Sequence, residues 1–204
     1  MSTRQLSGIK FKVKRFAMQY SMIAIVLVNV CSSRALAQDA HAHMQTAQTP
    51  AAQRQGKELV AVVREATERY QNVAVAEAEG YELQFGCVTG SDSGAMGLHY
   101  VNSALVNAGE LDATRPQIVI YEPKPGGGLQ LIGADFLLIK EAWDKKHQGP
   151  PQLMGQLFHL FDSPNRFGLP AFYTLHVWAW KENPNGAFVN WHPNVSCQWF
   201  APQN

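Results

Sequence analysis

The chain is short of the features that most often give a function away. It has no Gly-x-Ser-x-Gly elbow: within Gly90–Gly94 the central residue is Asp92, not Ser91 or Ser93, which argues against a serine hydrolase. The glycine run Gly126–Gly128 is not followed by a helix opening on Lys-Ser/Thr, so it is a turn and not a phosphate loop. No His-x-x-x-His pair and no internal repeat occur, and no apolar run reaches the roughly 20 residues of a bilayer span. Cysteine is scarce as well, three residues in 204, one of them (Cys31) in a leader segment. In an exported chain the remaining pair, Cys87 and Cys197, is more often a disulfide than a metal or redox site; two buried free thiols are the alternative.

What is there begins with that leader. Arg4, Lys10, Lys12, Lys14 and Arg15 precede an apolar stretch, Phe16–Val30, and then Ala35-Leu36-Ala37, a small-x-small cleavage pattern. This order predicts a Sec-type signal peptide over residues 1–37, cut after Ala37, and a periplasmic or secreted protein with no membrane span after cleavage. An uncleaved anchor is the alternative, but Gln19 and Asn29 interrupt the stretch. Cys31 does not make a lipoprotein, because Val28-Asn29-Val30 lacks the small residue expected ahead of it.

Six of the 17 basic residues and none of the 16 acidic ones precede residue 38, leaving 11 basic against 16 acidic residues, net −5. A mildly acidic surface argues against nucleic acid and against anionic membranes as partners. Gln38–Gln55, mostly Ala, Gln, Thr and His, reads as a disordered lead-in. Within it, Asp39-Ala40-His41-Ala42-His43-Met44 is a loose copper-binding motif.

Residues 56–204 are then one domain. Lys57–Glu79 carries apolar residues at three- and four-residue spacing (Leu59, Val62, Val63, Ala66, Tyr70, Val73), with Arg64, Glu65, Glu68 and Arg69 opposite. That pattern predicts a long amphipathic helix, ended by Gly80. Tyr81–Val88 and Met96–Asn102 read as strands, and Gln117–Glu122 and Leu129–Lys140 as a hairpin. Gln152–Phe161 reads as a short helix. Phe172–Trp180 reads as a central strand with Phe172, Thr174, His176, Trp178 and Trp180 on one face and Tyr173, Leu175, Val177 and Ala179 on the other. Asn183-Pro184-Asn185-Gly186 is a turn. One helix followed by antiparallel strands implies an α+β fold, the helix packed on a curved antiparallel sheet.

Candidate chemistry lies where polar groups sit in apolar company. Asp135 interrupts the apolar strand Leu129–Ile139, on the face of Leu131, Leu137 and Ile139; a carboxylate there needs a partner, and His99, His176, Arg115 and Arg166 are candidates. His176 lies among tryptophans and His99 within Gly97-Leu98-His99-Tyr100. His99, Asp135 and His176, with Glu122 behind, would form a two-His, one-carboxylate set for a divalent metal ion such as Zn, Fe, Mn or Cu, with Trp178 and Tyr100 lining the pocket. His192 is an outside candidate. The same residues admit three readings: a binding protein for a metal ion or small ligand, a metal-dependent enzyme, and a domain with a satisfied polar core.

The segments MGLHYVN, PQIVIYEP, LIGADFLL, LHVWAWKENPNGAF and HPNVSC together resemble a family of exported bacterial proteins of unknown function, over roughly Tyr81–Cys197. The match runs through Met96, Gly97, His99, Tyr100, Val101, Asn102, Tyr121, Glu122, Asp135, His176, Val177, Trp178, Asn183 and Pro184. The chain departs from the pattern at Asp135, where Glu is usual, and at His192, where Asn is usual. The shorter acid would reach a metal less easily. The resemblance implies no activity.

Overall fold

The computed structural model describes residues 49–201 apart from Ser91, so the signal peptide and the copper motif lie outside the described residues. The chain runs α1 (Pro50–Thr67), a 3-10 turn (Glu68–Gln71), α2 (Val73–Ala78), β1 (Glu82–Thr89), β2 (Ala95–Val101), α3 (Ser103–Ala108), β3 (Ile118–Pro123) and β4 (Leu129–Ile139). Then come α4 (Lys140–Asp144), β5 (Gln152–Leu153), β6 (Gln156–Leu157), β7 (His159–Phe161) and β8 (Phe172–Val177). Six strands form one antiparallel sheet in the order β1-β2-β3-β4-β8-β7, curled into a half-barrel with the helix packed against it. This is the α+β class the sequence predicts.

The helix starts earlier than its apolar period indicates. Thr49 caps it, its hydroxyl accepting from Ala52 N–H at 3.2 Å, and Pro50 occupies the first turn, where a missing N–H costs nothing. Pro50–Gln55 therefore belong to the helix and not to a disordered lead-in. The helix is also not continuous to Glu79. Thr67 turns its hydroxyl back to Val63 O at 2.7 Å, a bond that loosens a helix, and Asn72 starts α2 afresh by accepting from Ala74 N–H. Gly56, Leu59, Val63 and Thr67 form the buried stripe of α1. Leu59 and Val63 lie against Phe136 and Leu138 of β4 and Leu175 and Val177 of β8. Burial of each of these two side chains contributes about 1.5–3 kcal/mol.

Gln152–Phe161 is not a helix. Met154 and Gly155 both hold positive φ (44° and 78°) and make the tight turn of a β5–β6 hairpin, after which β7 joins the main sheet against β8. An apolar run this short carries no period that separates strand from helix. Between Ala187 and Trp199 the chain forms no strand, only an isolated bridge between His192 and Ala95.

β8 alternates as read: Tyr173, Leu175, Val177 and Ala179 face α1, while Phe172 and Trp178 join Ile118, Ile120 and Leu137 on the opposite face. Trp180 departs from the alternation. The strand ends at Val177, Trp180 N–H and Lys181 N–H both reach Ile132 O, and the Trp180 indole donates to Thr67 Oγ1 on the helix side. Leu131 also changes face, because a register shift at Ile120/Tyr121 sends it to the tyrosine cluster around Tyr70, Tyr81 and Tyr121. On β1, Phe85 and Gly86 have no partners in β2: Gln84 pairs His99 and Cys87 pairs Leu98. Both inserted residues hold left-handed backbone, φ 64° and 63°.

The Cys87–Cys197 disulfide is present, with a Cα–Cα distance of 5.7 Å and a sequence separation of 110. It ties β1 to the C-terminal segment, and a loop of that length is worth roughly 4–5 kcal/mol in the chain-entropy account.

Candidate metal centre

Three strands of the sheet bring the site together, the neighbours β4 and β8 and, across β3, β2. Asp135 of β4 is paired in register with His176 of β8 and with Ile118 of β3, and His99 of β2 pairs with Ile120. Side chains directly opposite in an antiparallel pair share a face, so the curl of the sheet turns His99, Asp135 and His176 toward one another. One ligand atom from each lies within 4.8 Å of the others, and the exposures of the three residues are 6%, 2% and 2%.

The two imidazoles meet Nε2 to Nε2 at 3.5 Å. Two nitrogens each about 2.0–2.1 Å from one ion at a tetrahedral angle would lie about 3.3 Å apart, close to this spacing. His99 Nδ1 is 3.3 Å from Gly97 O and donates to it, which leaves the His99 Nε2 lone pair pointing inward. Gly97 takes φ 90° to aim that carbonyl, and a Cβ there would stand 2.6 Å from Tyr121 O. Thr174 Oγ1 donates to Asp135 Oδ1 at 2.6 Å, and the Leu175 backbone N–H also stabilises the carboxylate. His176 Nδ1 is 3.7 Å from Asp135 Oδ1, too far for a hydrogen bond.

His176 Nδ1 and Asn190 Oδ1 are both buried without a hydrogen-bond partner. Asn190 stands close enough to favour protonation of the ring, yet outside hydrogen-bond geometry. A ligating His usually donates its second N–H to such an oxygen, and a small shift would close this pair.

Burial dominates the electrostatics. It lowers His99 to about 4, with the neighbouring His176 adding to the effect, and lowers His176 to about 3, so both rings are neutral and ligand-competent near pH 7. Burial raises Asp135 to about 6, against the opposing bond from Thr174. The group could hold a metal ion: two neutral imidazoles, one carboxylate, and orienting contacts already in place.

A narrow cavity of about 30 Å³ opens onto this cluster. It is lined by the triad and Thr174, by the buried Met96, Ile118, Leu137 and Phe172, and at its more exposed mouth by Phe85, Phe161, Phe167 and Leu169. These mouth residues were not legible in the sequence, because three of them lie in short or irregular segments with no alternation to read.

The other expected site residues go elsewhere. Glu122 is held by Lys181 Nζ at 2.5 Å and by Ser196 N–H at 3.0 Å, where it anchors the C-terminal segment. Tyr100 lies on the opposite face of β2, its ring against Tyr121 at 5.1 Å. Trp178 does not line the cavity; it stacks behind His176 at 5.8 Å, and its indole donates to Val189 O. Among the partners considered for Asp135, Arg166 instead donates to Thr89 O. His192, fully buried, is satisfied on both nitrogens: Nε2 donates to Glu182 O at 3.1 Å and Nδ1 accepts from Asn194 N–H at 3.1 Å. It clamps the C-terminal loop to β2.

No family model, curated protein or solved structure matches this chain.

Proposed function

We propose that this is an exported metal-binding protein in which His99, His176 and Asp135 hold one divalent transition-metal ion. The observation that carries the reading is the pair of inward-facing, neutral, buried imidazoles 3.5 Å apart beside a buried carboxylate. Donor chemistry of two imidazoles and a carboxylate suits Zn, Fe or Mn, and Cu competes by affinity. The disulfide, together with the lack of any described helix long and apolar enough to cross a membrane, fits export and the leader reading. Membership of the exported bacterial family that the sequence resembles belongs to the same proposal.

Elemental analysis of protein purified without chelator or affinity tag is expected to find about one equivalent of metal, lost in both His99→Ala and His176→Ala. A folded wild-type protein that takes up no Zn, Fe, Mn or Cu on addition would overturn the reading.

A second reading, a metal-dependent enzyme on the same ligands, is favoured by the cavity above the triad. Three protein ligands leave a position open for water or substrate. Turnover of an apolar ester by the Zn-loaded protein, abolished in His99→Ala, would carry it; inertness of the loaded protein toward such esters would leave binding alone.

A further inference from the structure

Apart from Asp135 and the two neutral histidines, every residue lining the cavity is uncharged, and only Thr174 among them is polar. A divalent ion on two imidazoles and one carboxylate carries a net charge of +1 into apolar surroundings. An uncompensated buried charge is costly, and an anionic donor at the open position removes it. The lining above the ion is aromatic. Phe161 and Phe172 stack at 5.1 Å with planes 3° apart, and Phe85 meets Phe167 edge-on at 5.4 Å.

The geometry also says how large a ligand fits. About 30 Å³ takes the ion and a small head group, so a larger body must lie in the mouth itself. Phe85 is the wall that can give way. It is 47% exposed, it stands in the two-residue insertion of β1, and its φ of 64° is a conformation bulky L-residues rarely adopt. Phe167, by contrast, sits in a segment fixed by the Asn165 side chain, which accepts from Phe167 and Leu169 N–H and donates to Leu169 O.

Resting on the metal reading above, we propose that the loaded centre takes a small monoanion with an aromatic body, an aryl carboxylate being the simplest. Its head sits on the ion and its ring between Phe85 and the fixed wall of Phe161, Phe167 and Phe172.

The test is titration of the full chain loaded with Co(II), followed by the d–d absorption of the ion, with benzoate, acetate and benzyl alcohol as probes. Benzoate is expected to shift the bands and to bind about tenfold tighter than acetate, the ring supplying the difference. Benzyl alcohol, uncharged, is expected to leave the bands unchanged. Phe85→Asn keeps a residue tolerant of left-handed backbone and removes the ring. It is expected to weaken benzoate about two- to tenfold, leaving acetate binding and cobalt content as they were. Failure to take up cobalt would overturn the metal reading and this proposal with it. Cobalt uptake with bands indifferent to benzoate, with benzoate no tighter than acetate, or with benzyl alcohol equally effective would overturn this proposal alone.

Discussion

The hydroxyl of Thr174 donates to one oxygen of Asp135 and fixes the orientation of its carboxylate. Thr174→Val removes that donor at nearly constant shape. It is expected to lower metal affinity by about 10- to 100-fold, measured by competition with a chromophoric chelator, as loss of an orienting contact does elsewhere. An unchanged affinity would mean that Asp135 is not a ligand. The same residues set a pH dependence. With His99 at about 4 and His176 at about 3, the unfolded chain binds protons below its ordinary imidazole value of 6.5 that the folded chain refuses. Stability from these two groups is therefore present above 6.5 and lost as the pH falls toward 4 and 3. Asp135, raised to about 6 from 3.8, works in the other direction: folded protein takes its proton first, which offsets part of the loss in that window. Two groups outweigh one, so the metal-free protein is expected to unfold at lower urea at pH 4.5 than at pH 7. A midpoint that rises on acidification would contradict the burial of the two rings.

Individual residues were legible where their chemistry clashed with their neighbours. Asp135 in an apolar strand and His176 among tryptophans stood out by that clash alone. Glu122, Tyr100 and Asn190 could not be sorted the same way. Glu122 sits at a hairpin end where either face is open, Tyr100 fits a tyrosine cluster as well as a pocket, and Asn190 lies in a loop that has no period.

At the scale of elements, α1 carries the clearest disagreement with its own pattern. The apolar stripe gives the helix its face, but Thr49 and Pro50 decide where it begins, and the first turns contribute contacts of their own. Gln156 Nε2 donates to Ala52 O, and Gly56 lies against the Phe188 ring. Deleting residues 38–55 is therefore expected to lower the melting temperature, read by circular dichroism. Thr49→Ala alone is expected to cost about 0.5–2 kcal/mol in urea unfolding. An unchanged melting temperature after the deletion would show that the helix is held by Leu59 and Val63 alone. Strands with plain alternation, β8 above all, could be read residue by residue. Alternation failed at Leu131, where one extra residue in β4 reverses the face, at Trp180, which lies past the end of β8, and at Phe85-Gly86, which stand outside the pairing of β1 with β2.

For the molecule as a whole, the disulfide and the C-terminal segment act together. Cys197 is fixed to β1, Ser196 N–H to Glu122, and Val195 is buried with Ile118 and Trp178. Reduction is expected to lower stability by about 2–5 kcal/mol, seen as a drop in denaturant midpoint. A thiol reagent is expected to label neither Cys87 nor Cys197 in the unreduced protein; labelling of both would sink the pairing. The curled sheet does not close through its backbone. Its two outer strands, β1 and β7, are linked instead by the segment between β7 and β8, through the Phe85–Phe167 contact and the Arg166 bond to Thr89 O.

The two-residue insertion on β1 has a consequence outside the cavity. An outer strand with a regular row of free N–H and C=O groups is a template on which a second chain can extend the sheet. At Phe85 and Gly86 the left-handed backbone interrupts that row midway along the strand. The kink that sets an aromatic ring over the histidines thus also denies neighbouring molecules a straight edge to pair with. Straightening β1 by deleting the two residues is expected to promote edge-to-edge association, read by light scattering.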